Sequence, residues 1–542
     1  WKAGESLWKG AGGKKRPHII IFNPDEMRWD TMGHMGNPAA ATPFLDQLAA
    51  GEAVSFRQAF CQNPVCVPSR CSFFTGLYPH VQGHRTMSYL LHPGEENLFS
   101  ELRQNGYYVW MNARNDLFAG QMAGWAESNA DTIFYGGDVP AAPGPVKGDG
   151  ELYSHYGGRL CLDEQGRNYG SDDEAVDEAV RFVREYSNEQ PLCLFLGLML
   201  PHVPYQVEEP YFSGIDRKRL APRVLPEECT GKSRMLDAIR GYQNLEGYTP
   251  EAWDELRAVY LGMCSKVDVL FERLCQGLKD AGVYDDCAIF FLSDHGDFAG
   301  DYGLTEKAQS SFEDCLTRVP FLIKPPAGER VDPGVTDALA ELVDFYGTAM
   351  DYAGVTPGRT HFGRSLRPVV ENRGSRVRDY VTCEGGRLPE EKHCDEYHSA
   401  GQDGPSPRFV YWPKMKAQSE DEAHAKGAMI RDGRYKYVSR ITGEDEFYDL
   451  LTDPAERHNR IDDPACQGEI GRLRTEQLRW YQRTCDVVPY EYDRRFTDEM
   501  LWAKVKNICP PGYEDEVREK IRGGIKQGLL YLYLEELRKQ GR

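Results

Sequence analysis

The stretch Asn63-Pro64-Val65-Cys66-Val67-Pro68-Ser69-Arg70-Cys71-Ser72-Phe73-Phe74-Thr75-Gly76 decides how the rest of the chain is read. A proline-stiffened loop leads into a run that can wind as a helix up to the Gly76 stop. Cys66 then sits at or just before a helix N-terminus, where unpaired N–H groups and the positive end of the dipole favour an anion. Arg70, four residues on, returns its guanidinium to the face that carries residue 66. On spacing alone, a buried structural cysteine beside a surface arginine fits the pattern equally well.

Three apolar, β-branched or aromatic runs frame this stretch. Residues 18–22, His-Ile-Ile-Ile-Phe, read as a buried central strand and run straight into Asp25-Glu26. Residues 287–292 read likewise and end in Ser293-Asp294-His295-Gly296-Asp297, and residues 191–200 end in Pro201-His202-Val203-Pro204-Tyr205. In doubly wound folds ligands gather at the carboxyl ends of such strands, so acids and histidines there are placed to hold a cation. Singly, each is as ordinary as any solvated turn.

Between the strands lie helical patterns. Residues 250–282 repeat apolar positions at a spacing of three to four, and Ser171-Asp172-Asp173-Glu174 reads as a capping box opening an amphipathic helix. Further helices are expected over 42–51, 96–105 and 336–354, and strands over 54–60, 107–111 and 320–324. The alternation gives an α/β fold: a large, mixed, mostly parallel central sheet flanked by helices. From Asp379 the texture changes to short strands (380–382, 427–430, 434–438) with Asp432-Gly433 as a hairpin turn. This predicts a smaller C-terminal α+β subdomain of antiparallel strands, followed by helices over 463–483 and 513–539. The expected division is 16–375, 376–485 and a helical extension, 486–542.

With a net charge of −20 over 542 residues, non-specific nucleic-acid binding and docking on an anionic membrane are disfavoured. An anionic substrate must therefore be drawn in by a local basic pocket. The longest apolar run, 192–200, is too short to span a bilayer. Fifteen cysteines without framework spacing point to a reducing, cytoplasmic setting, although a chain that starts at Trp1 leaves export open.

The pattern C-x-P-S-R-x-x-x-F-T-G at Cys66–Gly76 closely resembles the hallmark of the formylglycine-dependent (type I) sulfatases of the alkaline phosphatase superfamily. The resemblance implies that a formylglycine-generating enzyme oxidises Cys66 to an aldehyde. One hydroxyl of its hydrate attacks the sulfur of a sulfate ester, and the other expels sulfate afterwards. It also implies a metal site of Asp25, Glu26, Cys66, Asp294 and His295, for Ca²⁺, with Mg²⁺ or Mn²⁺ as alternatives. Glu26 stands where Asp or Gln is more usual in the family.

Catalytic roles fall by the same resemblance on Cys66, Arg70, His202 and Asp116, and sulfate binding on Arg114, Lys307 and His84. His80 and Arg85 are further candidates to line the pocket. His202, in a P-H-x-P-aromatic turn, is the expected proton donor to the leaving alcohol. Where many sulfatases carry G-K-W-H-L, this chain has Ala113-Arg114-Asn115-Asp116-Leu117. Arginine keeps the positive charge and adds a fork suited to sulfate, whereas Asp116 for histidine suits a base or a hydroxyl acceptor. The expected substrate is a small sulfated saccharide of glycosaminoglycan type, a uronate or hexosamine sulfate. The alternatives are an aryl or alkyl sulfate, or a phosphodiester or phosphonate monoester handled by the same aldehyde. A homo-oligomer is a further expectation, resting on the amphipathic last helix.

Overall fold

The structure, a computed structural model, describes residues 15–137, 152–161, 169–187, 189–401, 403–490 and 493–540. Its organising element is β1 (His18–Asn23). Successive side chains of a strand point to opposite faces, so Ile19 and Ile21 enter one core and Ile20 and Phe22 the other. A strand buried on both faces needs helices on both sides of the sheet. Against the first face pack α2 (Cys66–Thr75) and the helices Leu98–Gln104 and Val343–Ala353, through residues such as Phe74, Leu102 and Phe345. Against the second pack α1 (Pro43–Gly51) and the helices Ser171–Glu185 and Pro250–Asp280, through Leu45, Val176 and Leu256.

The remaining strands of this part are β2 (Val54–Phe60), β3 (Tyr108–Asn112), β4 (Thr132–Phe134), β5 (Tyr156–Arg159), β6 (Leu192–Gly197), β7 (Tyr205–Val207), β8 (Cys287–Leu292), β9 (Phe321–Lys324) and β10 (Gly334–Glu341). Eight strands form the main sheet in the order β10-β2-β9-β8-β1-β6-β3-β4, and β5 and β7 make a small parallel pair. Only β9 runs antiparallel to its neighbours, so the sheet is mixed and mostly parallel, as expected. A second, antiparallel sheet follows: β11 (Val381–Gly385), β12 (Gly427–Arg431), β13 (Tyr435–Arg440) and β14 (Glu446–Asp449). The helix Gln467–Thr484 covers it, packing Ile470 and Leu473 on Ile430, Tyr437 and Phe447.

One compact unit comprises the described residues up to Pro357 together with His361–Val487, and so contains both sheets. The second comprises Gly358–Thr360 and the chain from Val488 onward. Its helices Asp498–Val505, Glu514–Arg522 and Gln527–Gln540 bury Leu501, Val517, Ile521, Leu530 and Leu534 in a core of their own. Among the described residues no helix is long and apolar enough to cross a membrane, and all fifteen cysteines are unpaired.

The structure corrects three local readings. Residues 336–354 are not one helix: Gly334–Glu341 is a strand and the helix is Val343–Ala353. Helix-favouring Ala338-Leu339-Ala340 is overridden by parallel pairing with β2, which buries that run against the sheet. The expected helix over 513–539 is two helices broken at Gly523-Gly524, with Gly524 at φ +84°. The cap of the helix Ser171–Glu185 is Gly170, whose N–H donates to Asp173 at 3.1 Å.

Candidate active site

β1 and β8 are parallel neighbours in a register that sets Phe22 beside Phe291. Asp25 and Asp294 each stand three residues beyond that pair, so two acids emerge side by side at the carboxyl edge of the sheet. On the other flank of β1, Asn23 lies opposite Gly197 of β6, and the chain leaving β6 brings in His202. α2 points its N-terminus at the same place. Cys66 is only 2 % exposed there, its Sγ 3.2 Å from His295 Nε2 and 3.5 Å from Asp25 Oδ1.

One donor atom each from Asp25, Cys66, Asp294 and His295 lies within 4.8 Å of the others, and all four residues are buried. Two carboxylates, an imidazole and the side chain of residue 66 form a donor set that fits a divalent cation. His295 Nδ1 donates to the Gly296 carbonyl at 2.9 Å, which leaves the Nε2 lone pair facing the cluster. Burial holds this imidazole below its usual pKa and so keeps it neutral. The turn after Asp294 depends on Gly296, where a Cβ would stand 1.9 Å from the Cys315 carbonyl oxygen.

Glu26 does not join these four donors. Its backbone adopts a left-handed φ of +69°, uncommon for a residue with a Cβ, and its side chain goes instead to Lys307 and His202. Oε2 meets Lys307 Nζ at 2.9 Å and His202 Nε2 at 3.4 Å. Among the described residues its only grouping with metal-ligating residues is with Asp25 and His202. Burial pushes the Glu26 carboxyl well above the usual range and holds Asp297, its hydrogen-bonded neighbour, up at about 6.

Arg70 is placed differently from the expectation that its fork meets substrate. It is fully buried, and Nε donates to Asp294 Oδ2 at 2.8 Å while Nη2 donates to Asp25 Oδ2 at 3.0 Å. The helical spacing that returns residue 70 to the face of residue 66 aims the fork at the two carboxylates. Arg114 also donates to Asp25 and reaches Asp116 at 3.2 Å, but its side chain stays 27 % exposed and so faces the opening. Gly197 makes this possible, since a Cβ there would stand 2.0 Å from the Arg114 carbonyl oxygen. Asp116 lies beside Arg114 at a left-handed φ of +50°.

Asp25 is penalised by burial. Arg114, Arg70, His202 and Lys307 outweigh that penalty and hold it well below the carboxylate range. Burial, with Asp25 close by, pushes the Cys66 thiol well up. His202 is driven well below its usual value by burial and by Lys307. Its Nδ1 donates to the Val203 carbonyl at 2.8 Å, so the neutral ring presents a bare Nε2 to the site.

His84 is not brought to the cluster. Gly83 turns the chain at φ +84°, and His84 is held by the Tyr89 carbonyl and Glu95. His80 pairs with Glu384 and Arg85 with Glu391.

A family model described as Sulfatase matches residues 17–355. The chain belongs to the sulfatase family. It is a sulfuric ester hydrolase of the alkaline phosphatase superfamily. It is 24 % identical over 496 residues to an arylsulfatase of Clostridium perfringens, covering 85 % of this chain and 93 % of that one. In fold it is similar to the phosphonate monoester hydrolase of Agrobacterium radiobacter, with a TM-score of 0.68, 20 % identity and coverage of 89 % and 98 %. It is similar also to BT4656, solved with its substrate D-glucosamine-2-N,6-O-disulfate, with a TM-score of 0.66, 19 % identity and coverage of 87 % and 98 %.

Several residues around this sulfatase site escaped the sequence reading. Glu306 bridges Lys307 at 3.3 Å and Lys414 at 2.7 Å, and those two lysines hold its carboxyl far below the usual range against the cost of burial. Lys414 is carried by the helix Trp412–Gln418, which follows Tyr411, and the Tyr411 ring faces those of His202 and His155. Phe409, 46 % exposed, packs edge-on against Tyr411. No periodicity marks these residues.

Proposed function

We propose that the protein hydrolyses the sulfate ester of a small sulfated saccharide of glycosaminoglycan type, with Cys66 oxidised to formylglycine and a divalent cation, Ca²⁺, held by Asp25, Asp294, His295 and residue 66. The observation that carries this reading is the side chain of Cys66 standing inside the donor cluster at a helix N-terminus. When bound, the cation would supply Lewis-acid polarisation of a sulfate oxygen, and formylglycine the attacking hydroxyl. Oxygen-rich ligation favours Ca²⁺ or Mg²⁺ and the histidine admits Mn²⁺.

The chain's own residues do the rest. Arg70 fixes the two carboxylates in place and is spent on that task. Arg114 and Lys307 are the cations left to meet sulfate oxygens, in a site where preorganised charge is worth most. Asp25, Asp294, Asp116 and Glu306 are matched by Arg70, Arg114, Lys307 and Lys414. A divalent cation would add two positive charges to this matched set. This local field draws an anion into a protein whose net charge is −20. An arriving anionic ester raises His202, whose bare Nε2 takes up a proton from solvent and passes it to the leaving alcohol oxygen. Phe409 and Tyr411 give the alcohol an aromatic wall, which suits a sugar ring.

Support for the saccharide comes from the fold likeness to a protein solved with a sulfated glucosamine. The free thiols and the acidic surface suit a reducing, cytoplasmic compartment, where imported small saccharides are the accessible substrates. Release of sulfate from a panel of defined sulfated mono- and disaccharides, with Cys66→Ala as the blank, tests the reading; turnover of none of them refutes the saccharide. The Arg114–Asp116 departure favours one second reading, phosphonate monoester hydrolysis. It predicts that an aryl phosphonate is cleaved faster than the matched aryl sulfate.

A further inference from the structure

α2 carries Cys66 at its N-terminus, and two residues past its Gly76 stop Tyr78 lines a second cavity, of about 260 Å³. Ten helical residues separate the ends, roughly 15 Å at 1.5 Å per residue. The cavity shares no residue with the cluster around Cys66, and it lies within the compact unit that holds both sheets. We propose that it is a non-catalytic binding site for a single sugar ring bearing a carboxylate or a sulfate. The inference does not depend on what Cys66 does.

Its floor is closed, with one guanidinium serving two carboxylates, of which burial pushes the Glu341 carboxyl up. Tyr78 donates to Glu341, Arg378 pairs with Glu341 at 2.7 Å, and the same guanidinium clamps Asp344. What remains around the opening is not balanced. Arg364 donates to the Val377 carbonyl, and neither it nor Arg483 reaches a carboxylate among the described residues, although both are exposed at the cavity. Glu476 is held by Arg479, whereas Asp379 makes no ion pair among the described residues.

The wall adds a third feature. The ring of Trp480 stands edge-on to those of Tyr78 and His80, which fixes its plane at the wall. Two guanidinium forks match a carboxylate or sulfate, and Asp379 can accept hydroxyl protons. Trp480 and Tyr380 offer apolar surface to a ring face. The volume is below the roughly 300–1,000 Å³ of sites for drug-sized ligands, so one ring fits. An inorganic anion would leave Asp379 and both aromatic walls idle.

The test is calorimetric titration of the full chain with D-glucuronate and D-glucose 6-sulfate, with D-glucose and inorganic sulfate as controls. Expected is binding of at least one of the two acids at a site weakened about tenfold or more in Arg364→Ala/Arg483→Ala and by less than about twofold in Arg114→Ala. Trp480→Ala, which removes the ring face, weakens binding severalfold; circular dichroism and melting temperature show that both pocket variants are folded. If only glucuronate binds the site takes uronates, and if only the sulfate binds it takes sugar sulfates. The proposal is overturned if neither acid binds at roughly 10 mM. Equal affinity in the double variant, or inorganic sulfate binding as tightly as both acids, also overturns it.

Discussion

Replacing Arg70 with methionine removes the one charge that ties Asp25 to Asp294 while keeping the volume of the stem. The fork makes two charge-assisted bonds, 2.8 and 3.0 Å long, with no solvent on either partner. Breaking a buried ion pair from one side costs about 3–5 kcal/mol, because the partner charges stay buried and uncompensated. A divalent cation on the same carboxylates replaces part of that charge, and it binds more tightly once the competing guanidinium is gone. Arg70→Met is therefore destabilised by about 3–5 kcal/mol in EDTA, and saturating Ca²⁺ stabilises it more than it stabilises the parent. The assay is urea unfolding at neutral pH with and without the ion. A loss below about 1 kcal/mol in EDTA, the value of an exposed pair, would refute the clamp. An equal effect of Ca²⁺ on both proteins would refute the shared cation site.

Other consequences can be checked more briefly. Lys307→Ala should lower kcat/KM about 10²–10³-fold, as for loss of one preorganised donor, with the Glu26 carboxyl left without its cation; a change under about threefold would count against a role in holding sulfate. Asp294→Asn should weaken metal binding and turnover together, read by calorimetric titration with Ca²⁺ and by sulfate release. Gly197→Ala should displace the Arg114 carbonyl, which stands 2.0 Å from the added Cβ, and so lose activity out of proportion to any fall in melting temperature. Finally, His18 Nδ1 accepts the Leu192 N–H at 2.8 Å, and burial lowers its pKa from 6.5 to about 4. A depressed histidine stabilises the fold fully above its unfolded pKa and loses that contribution as pH falls through the folded value. His18 should therefore cost about 3 kcal/mol between pH 6.5 and 4, and His18→Gln should flatten that part of the stability profile.

The parts of the site legible in the sequence share one cause. Asp25, Asp294, His295 and His202 each follow an apolar strand, and parallel pairing of β1 with β6 and β8 brings those strand ends together. Cys66 and Arg70 are legible because one helical turn joins them. The role of Arg70 was not, since spacing shows which face a fork is on but not which carboxylates will take it. Lys414 and Tyr411 come from a segment about a hundred residues beyond Lys307, whose helix packs through Ala417 on Met235, Leu236 and Ile239 of the helix Arg234–Gln243, a pairing on which no local pattern bears. The misread strand Gly334–Glu341 has helix-favouring residues in its middle, and its strand state comes from its partner β2. The Gly523-Gly524 break was visible as a glycine pair, and the apolar repeat on either side concealed it.

The central claim is that Cys66 works as an aldehyde inside a cation site. The most direct measurement is the mass of the tryptic peptide containing Cys66, from protein made alongside a formylglycine-generating enzyme, taken together with sulfate release from the same sample. The account predicts a peptide about 18 Da lighter than the thiol form and sulfate release that rises with the converted fraction. Full activity from a sample in which every Cys66 remains a thiol would contradict it.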